Sequence, residues 1–464
     1  MSPTVRLKDF HQSTAPFRFG HHPDFEASFR SCFRRARHYL REGQFDKASI
    51  IEGQTISLSE LADPRHPEVF IIPRNRHCRV VDEWGDNIGV ERTILHFSST
   101  DFYVDLDKEG LFRSFGRSVP FSRLAQINQL GYLVPPRPKG LDKSQSIAYI
   151  MPTFHHNRWM HSLLVALLTE VTLARNGFSQ EKRTPLVLTD GCHDIATPAG
   201  GDSIKRVDPE NLGEEENFSW VLEYYDLVKP WAERFGFNVR LAQSWVKGQG
   251  LFGQLLDAID KICYTALDCY NLGMLRDSKT RELCLTNPLV IDVWQDIQFA
   301  PDLTRFAFAN PERLFLFLLL RAYEHQEFLL NPYSRALDLF LKKLVQPLYE
   351  TGIITKKQLL IQDDNWLHHE LEKHYPGKVQ WYIEPEELSW ERFGTQKEQQ
   401  EFCAQLGGKI DHTDDISEFD PCLDWLVFQD GKIVPLKQVI SQEKVELLEE
   451  IAASTKGYYV YYRP

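Results

Sequence analysis

Apolar positions recur at helical spacing through most of the middle of the chain. Residues 121–130 (FSRLAQINQL) carry an apolar side chain at every third position, and residues 163–174 (LLVALLTEVTLA) form a longer apolar segment. Residues 314–330 and 333–348 predict two long helices, separated by an Asn-Pro step that disfavours continuous helix. The pattern therefore predicts that residues 151–345 are dominated by helices.

The two ends of the chain have a different texture. A basic helix is predicted over residues 29–41, and strand patterning marks residues 69–72 and 94–104. Near the other end, residues 442–454 predict a helix, and strands are predicted over three short segments, namely residues 379–383, 425–428 and 457–462.

These patterns predict a mainly α protein with three regions. Residues 1–100 form a mixed N-terminal region, residues 101–370 a helical core, and residues 371–464 a small α+β C-terminal unit. Polar composition predicts two loops: one over residues 134–145, with three prolines and a glycine, and one over residues 197–217.

Composition and charge narrow the classes of partner. The chain has 464 residues, 42% of them hydrophobic and 25% charged, and a net charge of −12. This balance is typical of a globular protein and disfavours nucleic acid or an acidic membrane as the primary partner. A small anionic substrate remains compatible, because a pocket can be locally basic. The most apolar run, residues 314–320, is too short to cross a bilayer, so no membrane partner is expected.

Cysteine spacing indicates the redox setting. None of the eight cysteines forms a CxxC pair or a zinc-finger spacing, and no signal peptide is recognisable. We therefore expect a cytoplasmic protein.

Candidate metal ligands lie in the central segment. His161 is followed about thirty residues later by the adjacent pair His193-Asp194, and Asp260 lies further on. One class of metallohydrolase presents its ligands in this order. Imidazole nitrogens and carboxylate oxygens suit one divalent metal, either Mn, Fe, Ni, Co or Zn, or Mg. For His161 alone, a hydrogen-bonded structural histidine is the competing interpretation.

Two further patterns suit a phosphorylated ligand. Arg158 is three positions before His161, so on a helix the two share a face, where a guanidinium could pair with phosphate oxygens. Tyr264 and Asp268 continue the stripe of Asp260 at four-residue spacing. A surface stripe explains that spacing equally well.

Several of these segments resemble the deoxynucleoside triphosphate triphosphohydrolases, the dNTPase branch of the HD phosphohydrolase superfamily. The segments that carry the resemblance are residues 119–131 (VPFSRLAQINQLG), 151–165 (MPTFHHNRWMHSLLV), 193–195 (HDI), 260–273 (DKICYTALDCYNLG) and, more weakly, 321–325 (RAYEH). It implies an HD-domain helical core, assembly into a homo-oligomer, and hydrolysis of a dNTP to a deoxynucleoside and triphosphate.

The resemblance also implies residue roles. The metal ligands would be His161, His193, Asp194 and Asp260. The phosphates would be held by Arg158 and Lys261. The sugar and neighbouring groups would be contacted by Gln129, Leu130, Tyr264, Asp268 and Tyr323.

The chain departs from the family after the His-Asp pair. Where the family has a histidine proposed to assist attack, this chain has Asp202, and an acidic position falls at Lys205. A later His-Glu pair falls at Glu215-Glu216. Asp202 and Glu216 are thus the candidate catalytic residues, since a carboxylate can replace a histidine as a base, and Lys205 could supply a phosphate contact.

Three functions follow from the sequence. The first is a metal-dependent phosphohydrolase that acts on a dNTP. The second is an enzyme of the same type that acts on another phosphoester, such as a nucleoside monophosphate or a modified or cyclic nucleotide. The third is a nucleotide-binding sensor with little catalysis, suggested by the missing histidines.

Overall fold

A computed structural model describes most of the chain beyond residue 110. It covers residues 110–129, 157–271, 291–330, 332–377, 389–417 and 419–462, and the backbone of short strands between residues 55 and 104. The predicted helix 29–41, loop 134–145, strand 379–383 and Leu130 lie outside the described residues.

Six strands are described before the helical core. They are β1 Thr55–Ser57, β2 Ala62–Asp63, β3 His66–Pro73, β4 Arg79–Val81, β5 Ile94–Phe97 and β6 Thr100–Val104. Four of them form an antiparallel sheet in the order β2-β3-β6-β5, and β1 pairs with β4 in parallel. The strand pattern at residues 69–72 is confirmed, and the pattern at 94–104 is a hairpin.

Helices dominate the rest of the described chain, as the apolar spacing predicts. They are α1 Leu111–Gly116, α2 Val119–Arg123, α3 Arg158–Arg175, α4 Gln180–Gly191, α5 Gly201–Lys205, α6 Glu214–Tyr224, α7 Val228–Phe235, α8 Val239–Val246, α9 Gly250–Asn271, α10 Pro311–Glu324, α11 Pro332–Glu350, α12 Lys356–Ile361, α13 Asp364–His374, α14 Gln396–Leu406 and α15 Gln442–Thr455. A short π-helix, His325–Leu329, follows α10.

Helix α3 lies at the centre of the core. Every residue from His161 to Leu173 is buried, and the helix packs against α4 and α9. The buried carboxylate of Glu170 is balanced by Arg183 of α4, whose Nε lies 3.0 Å from it. The Asn157 side chain caps the helix by accepting a hydrogen bond from the Met160 amide. The first turn of α3 is therefore held in a fixed position.

The helix predicted over residues 121–130 is shorter than its apolar pattern. Helix α2 passes into a 3-10 turn at Leu124–Gln126 and then ends. Tertiary hydrogen bonds take the place of the next helical ones, because the Asn128 amide donates to Asp364 and the Ile127 carbonyl accepts from the Arg158 amide. The turn thus comes to lie beside the start of α3.

The segment predicted as a loop over residues 197–217 contains α5 and the start of α6. Gly200 has φ +83°, and a Cβ there would lie 2.5 Å from the Ile204 side chain, so this turn requires glycine. The first turn of α6 holds three consecutive glutamates, which favour a helix N-terminus. Local turn and dipole effects therefore make helices where composition predicts a loop.

A further four-stranded sheet joins the core to the C-terminal unit. The strands are β7 Ile297–Phe299, β8 Phe306–Phe308, β11 Leu426–Gln429 and β12 Lys432–Pro435, in the order β12-β11-β8-β7. Their one parallel pairing sets Val427 of β11 beside Phe308 of β8. The hairpin β7–β8 interrupts the predicted run of helices. The boundary at residue 370 stays a prediction, and this sheet crosses it.

The rest of the C-terminal unit has a three-stranded antiparallel sheet. Its strands are β9 Ser389–Phe393, β10 Ile410–Ile416 and β13 Gly457–Tyr462, in the order β10-β13-β9. The predicted strand 457–462 and helix 442–454 are confirmed. The fold class is thus a mainly α protein with a small α+β C-terminal unit. Among the described helices, none combines the length and the apolar character needed to cross a bilayer.

Candidate metal centre

Three side chains from separate elements meet beside the first turn of α3. They are His161 of α3, His193 just after α4, and Asp260 of α9. Each offers one ligand atom, and these atoms lie within 4.8 Å of one another. Such a group has the donor types and the spacing to hold a single divalent cation.

His161 has the properties of a ligand rather than of a structural histidine. Its side chain is fully buried, and its Nδ1 has no hydrogen-bond partner within the described residues. Its Nε2 lies 2.8 Å from Asp260 Oδ1. Burial lowers the pKa of His161, which keeps a lone pair available. A neutral imidazole nitrogen this close to a carboxylate oxygen is suited to share a cation with it.

His193 is oriented by the backbone of α4. Its Nδ1 lies 2.6 Å from the Asp190 carbonyl, to which it donates, so Nε2 faces the centre. Nε2 is 3.5 Å from Asp194 Oδ1 and 3.4 Å from Asp260 Oδ1. Burial alone would lower the pKa of His193, but the two carboxylates raise it to about 10. The centre therefore favours a positive charge, which a metal ion would supply.

Asp194, the fourth ligand in the sequence prediction, lies against both imidazoles. Its Oδ2 is 3.7 Å from His161 Nε2 and accepts a 2.9 Å hydrogen bond from Arg158 Nη1. Burial opposes ionisation of Asp194, but the charge of Arg158 outweighs it and lowers the pKa of this carboxyl. Asp194 is thus an ionised carboxylate beside both histidines, and its place as a fourth ligand stays a prediction, because the group of three does not include it.

Side chains of opposite charge form a network of ion pairs that begins at Asp194 and continues through Arg158 to residues of α5 and α6. Arg158 Nη2 donates a 2.7 Å hydrogen bond to Asp202, and Lys205 lies 2.6 Å from both Asp202 and Glu214. Glu214 also accepts a hydrogen bond from the Thr197 hydroxyl at 2.8 Å. The structure therefore brings Asp202 and Lys205, both selected from the sequence, to the predicted ligands through Arg158.

Glu216 does not join this cluster. Its carboxylate forms an ion pair with Lys247 at 3.1 Å, and the position beside Lys205 is held by Glu214, two residues earlier. The sequence analysis selected Glu216 by aligning a segment that it assumed to be a loop, and its role stays a prediction. Once α6 begins at Glu214, adjacent glutamates point in different directions.

Gln129 is buried, at 5% exposure, in the turn beside α3. Its side-chain oxygen has no hydrogen-bond partner among the described residues. A buried amide oxygen of this kind is suited to a ligand hydroxyl. Leu130, its neighbour in the prediction, lies outside the described residues.

The other predicted substrate residues of α9 and α10 are engaged within the protein. Lys261 forms an ion pair with Asp257, one turn earlier. The Tyr264 hydroxyl accepts a 2.7 Å hydrogen bond from Arg321, and Tyr323 is buried at 2% exposure in α10.

Asp268 pairs with a residue that the sequence reasoning missed. It is buried at 1% exposure and hydrogen-bonded to Glu324 of α10, which also accepts a 2.9 Å hydrogen bond from Thr265. Burial raises the pKa of both carboxyls, and their mutual repulsion raises that of Glu324 further. The pair therefore holds a proton. Glu324 stands within the RAYEH segment, so its place in a motif was the available signal.

The loop after His193 is fixed by two other residues that the sequence reasoning missed. Arg123 of α2 donates to the carbonyls of Ile195, at 3.0 Å, and Thr197, at 2.7 Å. Asp364 accepts a 2.7 Å hydrogen bond from the Gly200 amide. These long-range bonds have no signature in local sequence.

Comparisons with solved structures identify proteins that have a similar fold. No protein-family model matches the chain, and no curated protein matches it. A hypothetical protein from Aquifex aeolicus superimposes with a TM-score of 0.57 at 16% identity, over 80% of this chain and 96% of that one. A phosphohydrolase from Bacteroides thetaiotaomicron gives a TM-score of 0.56 at 16% identity, over 80% of this chain and all of that one. At this identity the likeness shows a shared fold.

Proposed function

We propose that the chain is a metal-dependent phosphohydrolase. The observation that carries the proposal is the group of His161, His193 and Asp260, whose ligand atoms lie within 4.8 Å of one another, with Asp194 against both imidazoles. The name phosphohydrolase carried by one structure of the same fold supports it.

The four side chains would hold one divalent metal, Mn, Fe, Ni, Co, Zn or Mg. When bound, such an ion polarises a phosphate and lowers the pKa of a coordinated water. The Asp190 carbonyl keeps the His193 ring in the tautomer that presents Nε2, and Arg158 keeps Asp194 ionised and in place.

Arg158 and Lys205 would receive the phosphate oxygens. In the described structure Asp202 forms ion pairs with both cations. It is the most exposed of these charged residues, with 44% of its side chain accessible. An incoming phosphate would replace Asp202 on these two cations. The released carboxylate would then be free to accept a proton from the attacking water.

A dNTP is the substrate we propose, with a deoxynucleoside and triphosphate as products. The resemblance of the segments around Gln129, Arg158 and Tyr264 to the dNTPase branch supports this choice. The buried, unpartnered amide oxygen of Gln129 would accept a hydrogen bond from the sugar. Tyr264, fixed by Arg321, and the Asp268–Glu324 pair would complete the sugar site, together with Leu130 and Tyr323.

One observation favours a second function, a nucleotide-binding sensor with little catalysis. Burial opposes ionisation of Asp202, but Arg158 and Lys205 outweigh it and lower the pKa of this carboxyl. A carboxylate held in this way is a weak base. If phosphate binding did not displace Asp202, the site would bind a nucleotide and cleave it slowly.

The experiment compares turnover and binding on one preparation. Purified protein with Mn²⁺ is incubated with each dNTP and with a panel of nucleoside monophosphates and cyclic nucleotides, and the products are separated. Release of triphosphate, abolished in His193→Ala, supports dNTP hydrolysis, whereas release of monophosphate moves the substrate to another phosphoester. Tight dNTP binding without any product supports the sensor. Neither turnover nor binding, with metal demonstrably bound, rejects the proposal.

A further inference from the structure

A cavity of about 360 Å³ lies where the helical core meets the C-terminal unit. Its walls come from α11, from β10 and β13, from the start of α14, and from Arg206 just after α5. None of the predicted ligands or substrate residues lines it. The volume is in the range of small-molecule sites, and its lining is mostly polar.

Two cations line this cavity, and neither is hydrogen-bonded to a carboxylate within the described residues. The nearest carboxylate to Arg206 is Asp338, 3.7 Å from its Nε, and that Nε has no hydrogen-bond partner among the described residues. Burial raises the pKa of Asp338 to about 7, so near neutral pH it carries only part of a charge. Lys342 of α11 is half-buried and has no ion pair within the described residues. Two such cations attract an anion.

The carboxylates of the cavity do not cancel this attraction. Asp414 is held by Arg335 in a bidentate pair, with distances of 2.7 and 2.8 Å. Asp415 is exposed and remains available to a hydrogen-bond donor. The Thr413 and Gln396 side chains, both exposed, add further polar groups. The lining therefore offers cations for an anionic group and polar groups for hydroxyl or amino groups of a ligand.

Helix α5 links the cavity to the network of ion pairs beside the metal centre. Ser203 of α5 donates a 2.5 Å hydrogen bond to Asp338, next to which Arg206 lies. Helix α5 also carries Asp202 and Lys205, which contact Arg158 and Glu214. Helix α5 has only five residues, and Arg206 follows its last one. A ligand that moves Arg206 toward the cavity therefore also displaces the backbone of the turn that holds Asp202.

We propose that this cavity is a binding site for a small phosphorylated molecule with hydroxyl or amino groups, and that its occupant acts on the metal centre through α5. Arg206 and Lys342 hold the phosphate, and Asp415 accepts hydrogen bonds from the hydroxyl or amino groups. This site is separate from the one assigned to the substrate, and its occupation requires no turnover.

The test uses the full chain after EDTA treatment, so that the metal centre cannot take the phosphate through a metal. Ribose 5-phosphate, inorganic phosphate and ribose are titrated separately by calorimetry. We expect ribose 5-phosphate to bind more tightly than phosphate, and ribose not to bind. Lys342→Ala and Arg206→Ala each remove a charge-assisted contact and should weaken ribose 5-phosphate roughly tenfold. Lys343→Ala is the matched control, because Lys343 is the next residue of α11 and pairs with Asp411.

Hydrogen exchange of the same samples tests the link to α5. Ribose 5-phosphate should slow exchange of the amides of residues 201–206 in the native chain and not in Lys342→Ala. Equal affinity in the native chain, Lys342→Ala and Arg206→Ala, or no binding at all, overturns the site. Binding that leaves the exchange of residues 201–206 unchanged overturns the action through α5.

Discussion

Arg158 and Asp194 form a hydrogen-bonded ion pair of 2.9 Å in which 7% and 2% of the side chains are accessible. The pair stands at the first turn of α3, where the Asn157 cap and the Ile127 carbonyl hold the backbone. The geometry of the metal centre is therefore tied to the start of the central helix, so one substitution here should affect both stability and metal binding.

Arg158→Met should lower the free energy of unfolding by about 3 kcal/mol, because it leaves the buried charge of Asp194 without its partner. Chemical denaturation at pH 7 measures the change. Lys229→Met is the control: its pair with Glu233 is exposed and 4.0 Å long, and such a pair contributes less than about 0.5 kcal/mol. Equal losses in the two variants would show that the Arg158 pair is not strongly buried.

His193→Ala should lower the affinity for Mn²⁺ by at least roughly 100-fold, since the loss of even an outer partner of a ligand typically costs 10- to 100-fold. Metal content after dialysis and competition with a chelator measures it. His369→Ala serves as control, because His369 is exposed and its Nδ1 lies 2.7 Å from the Asn365 carbonyl. Metal retained in His193→Ala would remove this histidine from the ligand set.

Glu214→Gln and Glu216→Gln separate the two glutamates at the start of α6. Glu214→Gln weakens the contact with Lys205, which in turn holds Asp202 in position. The substitution should therefore lower kcat/KM roughly tenfold. Glu216→Gln affects only the surface pair with Lys247 and should leave kcat/KM within about twofold. The reverse order of effects would support Glu216, the residue selected from the sequence.

Gly200→Ala should destabilise the protein by roughly 2–3 kcal/mol. The substitution meets both a φ of +83° and the Ile204 side chain at 2.5 Å from the new Cβ. Gly177→Ala is a matched control, with φ +77° and nothing within 4 Å of the Cβ, so it should cost only about 1 kcal/mol. Thermal unfolding of the two variants side by side gives the difference. Similar costs would show that the turn before α5 can yield.

Asp338→Asn should alter the pH dependence of stability. Burial raises the pKa of Asp338 from 3.8 to about 7, so the folded protein retains this proton after the unfolded chain has lost it. The contribution of Asp338 is then complete below pH 4 and is lost as the pH rises to about 7. Asparagine mimics the protonated acid, so the variant should be more stable than the native chain at pH 7.5 by roughly 2 kcal/mol.

Denaturation at pH 4.5, 6 and 7.5 tests the effect of Asp338. Asp424→Asn, which replaces an exposed aspartate, should follow the native profile. A native profile for Asp338→Asn would mean that this carboxyl is ionised in the folded state.

The sequence predicts the apolar helices well and their ends less well. Helix α3 can be predicted because a helix buried on all sides is apolar all round. The strand at residues 457–462 can be predicted because it consists mainly of aromatic and β-branched residues, which favour a sheet. The end of α2 cannot be predicted from local sequence, because it depends on hydrogen bonds with the distant residues Asp364 and Arg158. Hairpin β7–β8 was missed because its strands have only three residues each.

The candidate site divides in the same way. Side-chain chemistry and spacing select His161, His193, Asp194 and Asp260, because metal ligands must be of a few residue types. The supporting residues Arg123 and Glu324 escape, since their roles depend on partners brought from distant segments. The place of Glu214 beside Lys205 also escapes, because the direction of a side chain depends on where its helix begins.

The parallel pairing of Phe308 with Val427 also bears on how the chain is made. During translation β7 and β8 leave the ribosome long before β11, so the edge of β8 waits unpaired while α10 to α14 are synthesised. Closing so long a loop is slow, and an open strand edge invites pairing with other chains. Chains that end before residue 435 should therefore aggregate. In longer chains β11 covers the edge of β8 and should protect it from pairing with other molecules.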